Sequence, residues 1–142
     1  MIRISPRFFR QITQAAEAAY PDECCGLLAG RNRGGAIIIT RAVPSDNVAT
    51  RPSERFEVDP KVRFDLMREI DGGPEKIVGH YHSHPNRPAS PSERDLDTAF
   101  EPELIWLIVA VKNGAATGVQ AWRLDGKTKT AHEIEIDTGE EA

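Results

Sequence analysis

His80, His82 and His84 stand at alternate positions in one stretch, His80-Tyr81-His82-Ser83-His84-Pro85. An extended strand sends alternate side chains to one face, so all three imidazoles can point the same way until Pro85 stops the strand. A helix-start pattern follows, with Ser90 as N-cap, Pro91 at the first helical position and Glu93 closing a capping box. On that helix Ser92 and Asp95, three residues apart, share a face. Two imidazoles at a strand end and one carboxylate in the first turns of a helix can therefore converge on one point. Two nitrogens and one oxygen suit zinc at a catalytic site, with a fourth position left for water. Spacing alone also permits an all-histidine site that uses His80. A single histidine on a strand is ordinarily core or surface; it is the grouping that points to a metal.

His82-Ser83-His84, seven residues, Ser92, two residues and Asp95 give H-S-H-x7-S-x2-D. This resembles the motif of the JAMM (MPN+/Mov34) zinc metallopeptidase family, with every position filled. Upstream, Pro21-Asp22-Glu23-Cys24-Cys25-Gly26-Leu27-Leu28-Ala29-Gly30 is similar to the family's glutamate-bearing stretch. The resemblance implies that His82, His84 and Asp95 hold Zn2+, that Glu23 is the general acid/base, and that Ser92 helps to stabilise the tetrahedral intermediate. His80 lies outside the motif and is expected to be a neighbour of the site. Asn47, Pro52 and Phe56-Glu57-Val58-Asp59-Pro60 fit a further part of the family pattern, so the resemblance extends across most of the chain. The implied fold is α/β (α+β), MPN/JAMM-like and cytidine-deaminase-like, a mixed central β-sheet flanked by about three helices.

The elements that must position these residues can be traced in order. Residues 5–20 have apolar side chains at helical spacing, with Ser5 as cap and Pro6 at the first position, and Pro21 ends the helix. Residues 23–31 and 36–43 are strands joined by the turn at 32–35, and Ile37-Ile38-Ile39-Thr40 is strongly β-forming. Residues 44–54 form a loop; its stretch from Asn47 to Arg55 is either a substrate-contacting segment or an ordinary connection. Phe56-Glu57-Val58 is a short strand, and Asp59 caps a second helix that ends at Gly72-Gly73-Pro74. Residues 76–84 are the histidine strand, and the helix carrying Ser92 and Asp95 runs to about Phe100. Residues 104–111 have the length and β-branched content of a strand buried on both faces. Asn113-Gly114 and Asp125-Gly126 mark turns around a strand at 119–124, and residues 130–136 alternate as a last strand. The expectation is one domain over residues 1–142, with a frayed acidic tail at 137–142.

Other residues of chemical interest have plainer expectations. Asp97 faces away from Asp95 and into solvent, and His132 is structural. Arg87 and Arg94 border the site and could meet a carboxylate or the acidic surface of a carrier protein, but solvated surface arginines are the favoured reading. Cys24 and Cys25 are the only cysteines. Sequence neighbours rarely pair with each other, so no disulfide framework is available. Either could serve as a thiol nucleophile, but the following Gly26-Leu27-Leu28 favours small buried hydrophobes on a strand.

Composition sets the outer bounds. The chain of 142 residues is 39% hydrophobic and 28% charged, ordinary for a globular protein with a sizeable core. A net charge of −4 without a basic cluster gives no reason to expect nucleic acid. The longest apolar run is too short to span a bilayer, and arginines with Pro6 interrupt any signal-like N-terminus. The expected location is the cytoplasm, and the expected state is monomer or homodimer.

The resemblance also implies the activity: hydrolysis of a peptide or isopeptide bond after the Gly-Gly end of a ubiquitin-like sulfur-carrier protein. Zinc would acidify a water, and no covalent intermediate would form. Short stand-alone members of the family trim such carriers or release cysteine assembled on them, which ties the chain to cysteine or other sulfur-metabolite synthesis. Two alternatives stand beside this: a non-catalytic MPN-type interaction scaffold, and a zinc hydrolase of another isopeptide or small peptide.

Overall fold

In the computed structural model, which describes residues 1–139, the histidine strand lies near the centre of an eight-stranded sheet. The elements are β1 (Ile2–Arg3), α1 (Pro6–Ala19), β2 (Cys25–Arg33), β3 (Ala36–Ser45), α2 (Pro60–Ile70), β4 (Lys76–Pro85), α3 (Glu93–Asp97), β5 (Ile105–Lys112), β6 (Ala115–Asp125), β7 (Thr130–Ile134) and β8 (Ile136–Asp137). Strand order is β7-β6-β5-β4-β2-β3-β1-β8. β4 pairs antiparallel with β2 and parallel with β5, so the sheet is mixed, as expected with three helices. Among the described residues no helix is long and apolar enough to cross a membrane.

Alternation along β5 shows how the sheet divides the molecule. Ile105, Leu107, Val109 and Val111 join the cluster under α1, with Ile12 and Ala16 of the helix and Tyr81 of β4. Trp106, Ile108 and Ala110 point to the opposite face. Every residue of β5 except Lys112 is buried, which is why the strand looks like an unbroken apolar run in sequence. Gly26 pairs with Tyr81 across the sheet, and a Cβ there would fall 2.3 Å from the tyrosine ring. Only glycine leaves room for that ring on the α1 side.

The two ends of the sheet come together. β7 pairs with β6 at one end and β8 pairs with β1 at the other, yet Glu135 alone separates β7 from β8. Two residues reach at most ~7 Å. The sheet is therefore curled until its edges meet, with α1 packed against β3, β4, β5 and β6 inside the curl.

Several local expectations are corrected. The cap of α3 is Ser92, not Ser90, and Pro91 lies before the helix rather than in its first turn. Ser92 has extended backbone, its Oγ accepts from the Asp95 amide at 3.1 Å, and Asp95 Oδ2 accepts from the Ser92 amide at 2.9 Å. This reciprocal pair is the capping box, closed by Asp95 instead of Glu93. The helix ends at Asp97, where Thr98 caps it, short of Phe100. The short strand at 56–58 reduces to one bridge, Asn47 with Val58. The last strand breaks at Glu135 into β7 and β8, because its two halves serve opposite sheet edges. Asp137 of the supposed tail is held in β8, where its carbonyl accepts from the Ile4 amide at 3.0 Å. Residues 140–142 of that tail lie outside the described residues. β1, two residues long, gave no sequence signal.

Candidate metal centre

β4 presents His80, His82 and His84 to the face opposite α1, and the partners converge there from three other elements. In the β2–β4 pairing Cys25 lies opposite His82, so Glu23, two residues earlier, emerges just past the end of β2. That junction is pinned: the Cys24 amide donates to Ser83 Oγ at 2.8 Å, and the Ser83 amide to the Cys24 carbonyl at 3.2 Å. Asn47 holds it from the loop, its Nδ2 donating to the carbonyls of Glu23 at 3.0 Å and Arg55 at 2.9 Å. Its Oδ1 accepts from the amides of Ala49 and Glu57. The parallel β4–β5 pair then places the site at the carboxyl ends of two strands, and α3 brings Asp95 over them.

Three atoms meet there. His82 Nε2 and His84 Nε2 are 3.1 Å apart, and Asp95 Oδ2 is 3.5 Å from the first and 3.2 Å from the second. All three residues are buried. His84 Nδ1 lies 2.8 Å from the Pro88 carbonyl, which can only accept. Nδ1 therefore carries a proton to that carbonyl, and Nε2 is the nitrogen that His84 turns to the triangle. Burial lowers the His82 pKa, which favours a neutral ring there. Burial would raise the pKa of Asp95, but hydrogen bonds from His82 and His84 outweigh it and hold the carboxyl far below the usual range. The result is an ionised carboxylate beside two imidazole nitrogens, the donor types that zinc takes. Tetrahedral coordination with bonds of ~2.0–2.1 Å has ligand–ligand edges of roughly 3.3 Å. The edges of 3.1, 3.2 and 3.5 Å fit that size.

Glu23 stands just outside the triangle. Donor atoms of Glu23, His82 and His84 lie within 4.8 Å of one another, a wider trio that shares both histidines. The tighter Asp95 trio fits first coordination better, and Glu23 is engaged elsewhere. Its Oε2 accepts from Arg87 Nη2 at 2.6 Å, whereas its Oε1 is buried without a hydrogen-bond partner. Glu23 is only 2% exposed. Burial raises its pKa to about 7 against the opposing pull of Arg87 and His84, so it can both take and give a proton near neutral pH. Arg87 is thus no free surface arginine, as had been expected; the buried carboxylate draws it in.

The remaining candidates separate cleanly. His80 is not brought into the triangle. It packs edge-on against Trp106 with ring centroids 4.4 Å apart, its Nδ1 has no partner, and burial lowers its pKa to about 3. The all-histidine arrangement is therefore not assembled. Ser92 uses its Oγ as acceptor in the cap, which leaves its hydroxyl proton free to donate. Cys24 and Cys25 are buried and unpaired, and burial pushes the Cys25 thiol up to about 12, so no thiolate is available there. Arg94 and Asp97 are exposed, Asp97 in a 2.6 Å ion pair with Lys129.

Sequence reasoning missed the aromatic support. Phe56 stacks on His82 with centroids 4.1 Å apart and planes 17° from parallel, while Trp106 meets the same ring edge-on. The register of Trp106 opposite His80 in a parallel pair could have suggested it only if the pairing had been known. Beside these rings opens a cleft of about 620 Å³ lined by Phe56, Arg63, His80, Phe100 and Trp106 among others. Arg55 Nε is buried nearby without a partner.

The fold and site have counterparts among known proteins. Residues 5–125 match the family of prokaryotic homologs of the JAB domain. A desampylase from Haloferax volcanii is 38% identical over 88 residues, a match covering 62% of this chain and 62% of that relative. The chain thus spans less than two thirds of that curated relative's length. A CysO-cysteine peptidase from Mycobacterium tuberculosis is 26% identical over 121 residues, covering 85% of this chain and 81% of the relative. Among solved structures, protein DSY2949 from Desulfitobacterium hafniense superimposes with a TM-score of 0.85 at 30% identity, over 99% of this chain and 94% of that one.

Proposed function

The chain belongs to the family of prokaryotic JAB-domain homologs, and from that premise we propose that it is a zinc-dependent peptidase. Its substrate in this reading is the peptide or isopeptide bond that follows the Gly-Gly end of a ubiquitin-like sulfur-carrier protein. The observation that carries the reading is the triangle of His82, His84 and Asp95 with the buried carboxylate of Glu23 beside it. Relatives named for desampylation and for CysO-cysteine cleavage support the substrate class.

When bound to the triangle, zinc supplies Lewis acidity, which acidifies water at neutral pH and polarises a carbonyl. The other steps belong to the chain. Glu23 takes the proton from the attacking water and returns it to the leaving amine as the C–N bond breaks. Arg87 holds one oxygen of that carboxylate, so the unpartnered Oε1 faces the proton transfer. The Ser92 hydroxyl donates to the carbonyl oxygen as the carbon becomes tetrahedral. The 620 Å³ cleft takes the extended carrier tail, and its aromatic wall of Phe56 and Trp106 packs the chain. The loop at 47–55 is then a substrate-contacting segment as well as a support for Glu23.

Intact-mass analysis tests this directly. A ubiquitin-like carrier extended by one or two residues past Gly-Gly is incubated with zinc-loaded protein and with its Glu23→Gln variant. Loss of the extension with wild type alone is the expected result. No loss despite stoichiometric zinc points to a hydrolase of another isopeptide or small peptide. No loss together with no zinc binding replaces the enzyme by an MPN-type scaffold.

A further inference from the structure

A second cleft, of about 500 Å³, opens on the other side of the triangle between the loop after β4 and the β5–β6 turn. It is lined by Asn86, Arg87, Pro88, Lys112, Asn113 and Thr117, and shares no lining residue with the first. The first cleft is reached past Phe56 and Trp106, which pack on His82; the second past Arg87 and Pro88, which bond to Glu23 and His84. A substrate whose scissile carbon sits over the triangle must send its acyl chain one way and its amine the other. Glu23 protonates the amine, so the amine belongs on the side of Glu23 and Arg87.

The chemistry of that side is cationic. Arg87 and Lys112 line it, and no aspartate or glutamate does. Arg87 commits only Nη2 to Glu23; its other guanidinium donors and the Lys112 ammonium have no side-chain partner among the described residues. The rim is braced: Asn86 Nδ2 donates to the Tyr20 hydroxyl at 2.9 Å, and Asn86 Oδ1 accepts from the Asn113 amide at 3.0 Å. Asn86 and Asn113 both hold positive φ, 55° and 51°, a conformation asparagine tolerates better than most residues. A guanidinium with free donors beside an ammonium in a fixed cleft matches a carboxylate.

We propose that this cleft holds the leaving group and selects one bearing its own α-carboxylate: a single amino acid released from the end of the carrier tail. The inference rests on the peptidase reading above. Water adds to the acyl carbon, the C–N bond breaks, the new tail end keeps the hydroxyl oxygen as a carboxylate, and the amine departs with the proton from Glu23. The product is a free amino acid whose carboxylate sits between Arg87 and Lys112. An isopeptide to a lysine ε-amine carries no carboxylate on the carbon next to its nitrogen and is the poorer substrate.

Three peptides sharing one Gly-Gly tail test this with the zinc-loaded full chain: one extended by alanine with a free carboxylate, the same peptide as its amide, and the tail joined to the ε-amine of N-acetyl-lysine amide. The free acid is expected to have about tenfold or greater kcat/KM over both others. Lys112→Gln and Arg87→Gln are each expected to bring the acid-to-amide ratio close to one. Arg87→Gln also disturbs Glu23 and slows every substrate, so the ratio, not the rate, is decisive. A wild-type ratio near one, or a ratio unmoved in Lys112→Gln, overturns the proposal. Should none of the peptides be cleaved, the peptidase reading fails, and binding decides the cleft separately. Amide shifts of Asn86, Lys112 and Asn113 in zinc-loaded Glu23→Gln on adding the acid but not the amide uphold carboxylate selection; equal or absent shifts refute it.

Discussion

The two faces of β4 and β5 carry side chains from the same residues' neighbours, yet they behave as different materials. Tyr81, Ile105, Leu107 and Val109 face α1, where the helix covers hydrocarbon with hydrocarbon. His80, His82, His84 and Trp106 face the other way, under a helix of five residues and a polar loop. The thick cover makes one face a scaffold. The thin cover leaves the other open to two clefts. Its buried polar atoms rely on one another, on Arg87 and on the backbone of the covering segments, with Glu23 Oε1, His80 Nδ1 and His82 Nδ1 left without a partner. The contrast shows that a site can sit one residue from the core of a sheet, because alternation moves a side chain from one environment to the other in a single step.

The largest break in that contrast should come from the proposed ligand triangle. His84→Ala removes a corner of the triangle together with the hydrogen bond to the Pro88 carbonyl. Metal content measured by elemental analysis should fall below one tenth of the wild-type stoichiometry, with hydrolysis lost and the fold retained by circular dichroism. Glu23→Gln separates binding from chemistry on the same face: zinc should stay at full stoichiometry while kcat drops by about 10²–10⁴. Full turnover by Glu23→Gln would remove Glu23 from the mechanism.

The opposite face should respond in stability and not in chemistry. Ile105 is fully buried in the cluster beneath α1. Ile105→Ala should destabilise the protein by about 2–5 kcal/mol in urea unfolding. The metal content and kcat of the remaining folded fraction should stay at wild-type values. A change in zinc stoichiometry with the fold intact would mean that the two faces are coupled through the sheet.

How much of this was legible follows the same division. The histidine–aspartate stretch and the separate stretch around Glu23 could each be singled out because each is a local pattern, and β5 because burial on both faces leaves an unbroken apolar run. What failed needed contacts between distant segments. Ser90-Pro91 carries a better local cap signal than Ser92, but the box that forms is the one whose carboxylate also reaches the histidines. Arg87 looked like any surface arginine until the fold placed a buried carboxylate 64 positions away beside it. The joint at Glu135 has no signature, because only the curl of the whole sheet requires it.

The smallest expected effect comes from the adjacent cysteines, which alternation divides between the two faces. Cys24 belongs to the cluster under α1, whereas Cys25 pairs with His82 and its Sγ lies 3.7–3.9 Å from the carbonyls of Ser45, Asp46 and Glu57. Burial raises the pKa of both thiols, so neither supplies a nucleophile despite standing next to Glu23. Cys24→Ala and Cys25→Ala should each cost about 1 kcal/mol of stability, the transfer energy of one small buried group, and leave kcat/KM within a factor of two. Thermal melts and steady-state hydrolysis measure both quantities on the same samples. Turnover abolished in Cys25→Ala, with zinc and fold retained, would make the thiol part of the chemistry and place a second reacting group on the site face. Unchanged turnover in both leaves Glu23 as the proton carrier and shows that proximity in sequence to the site confers no role in it.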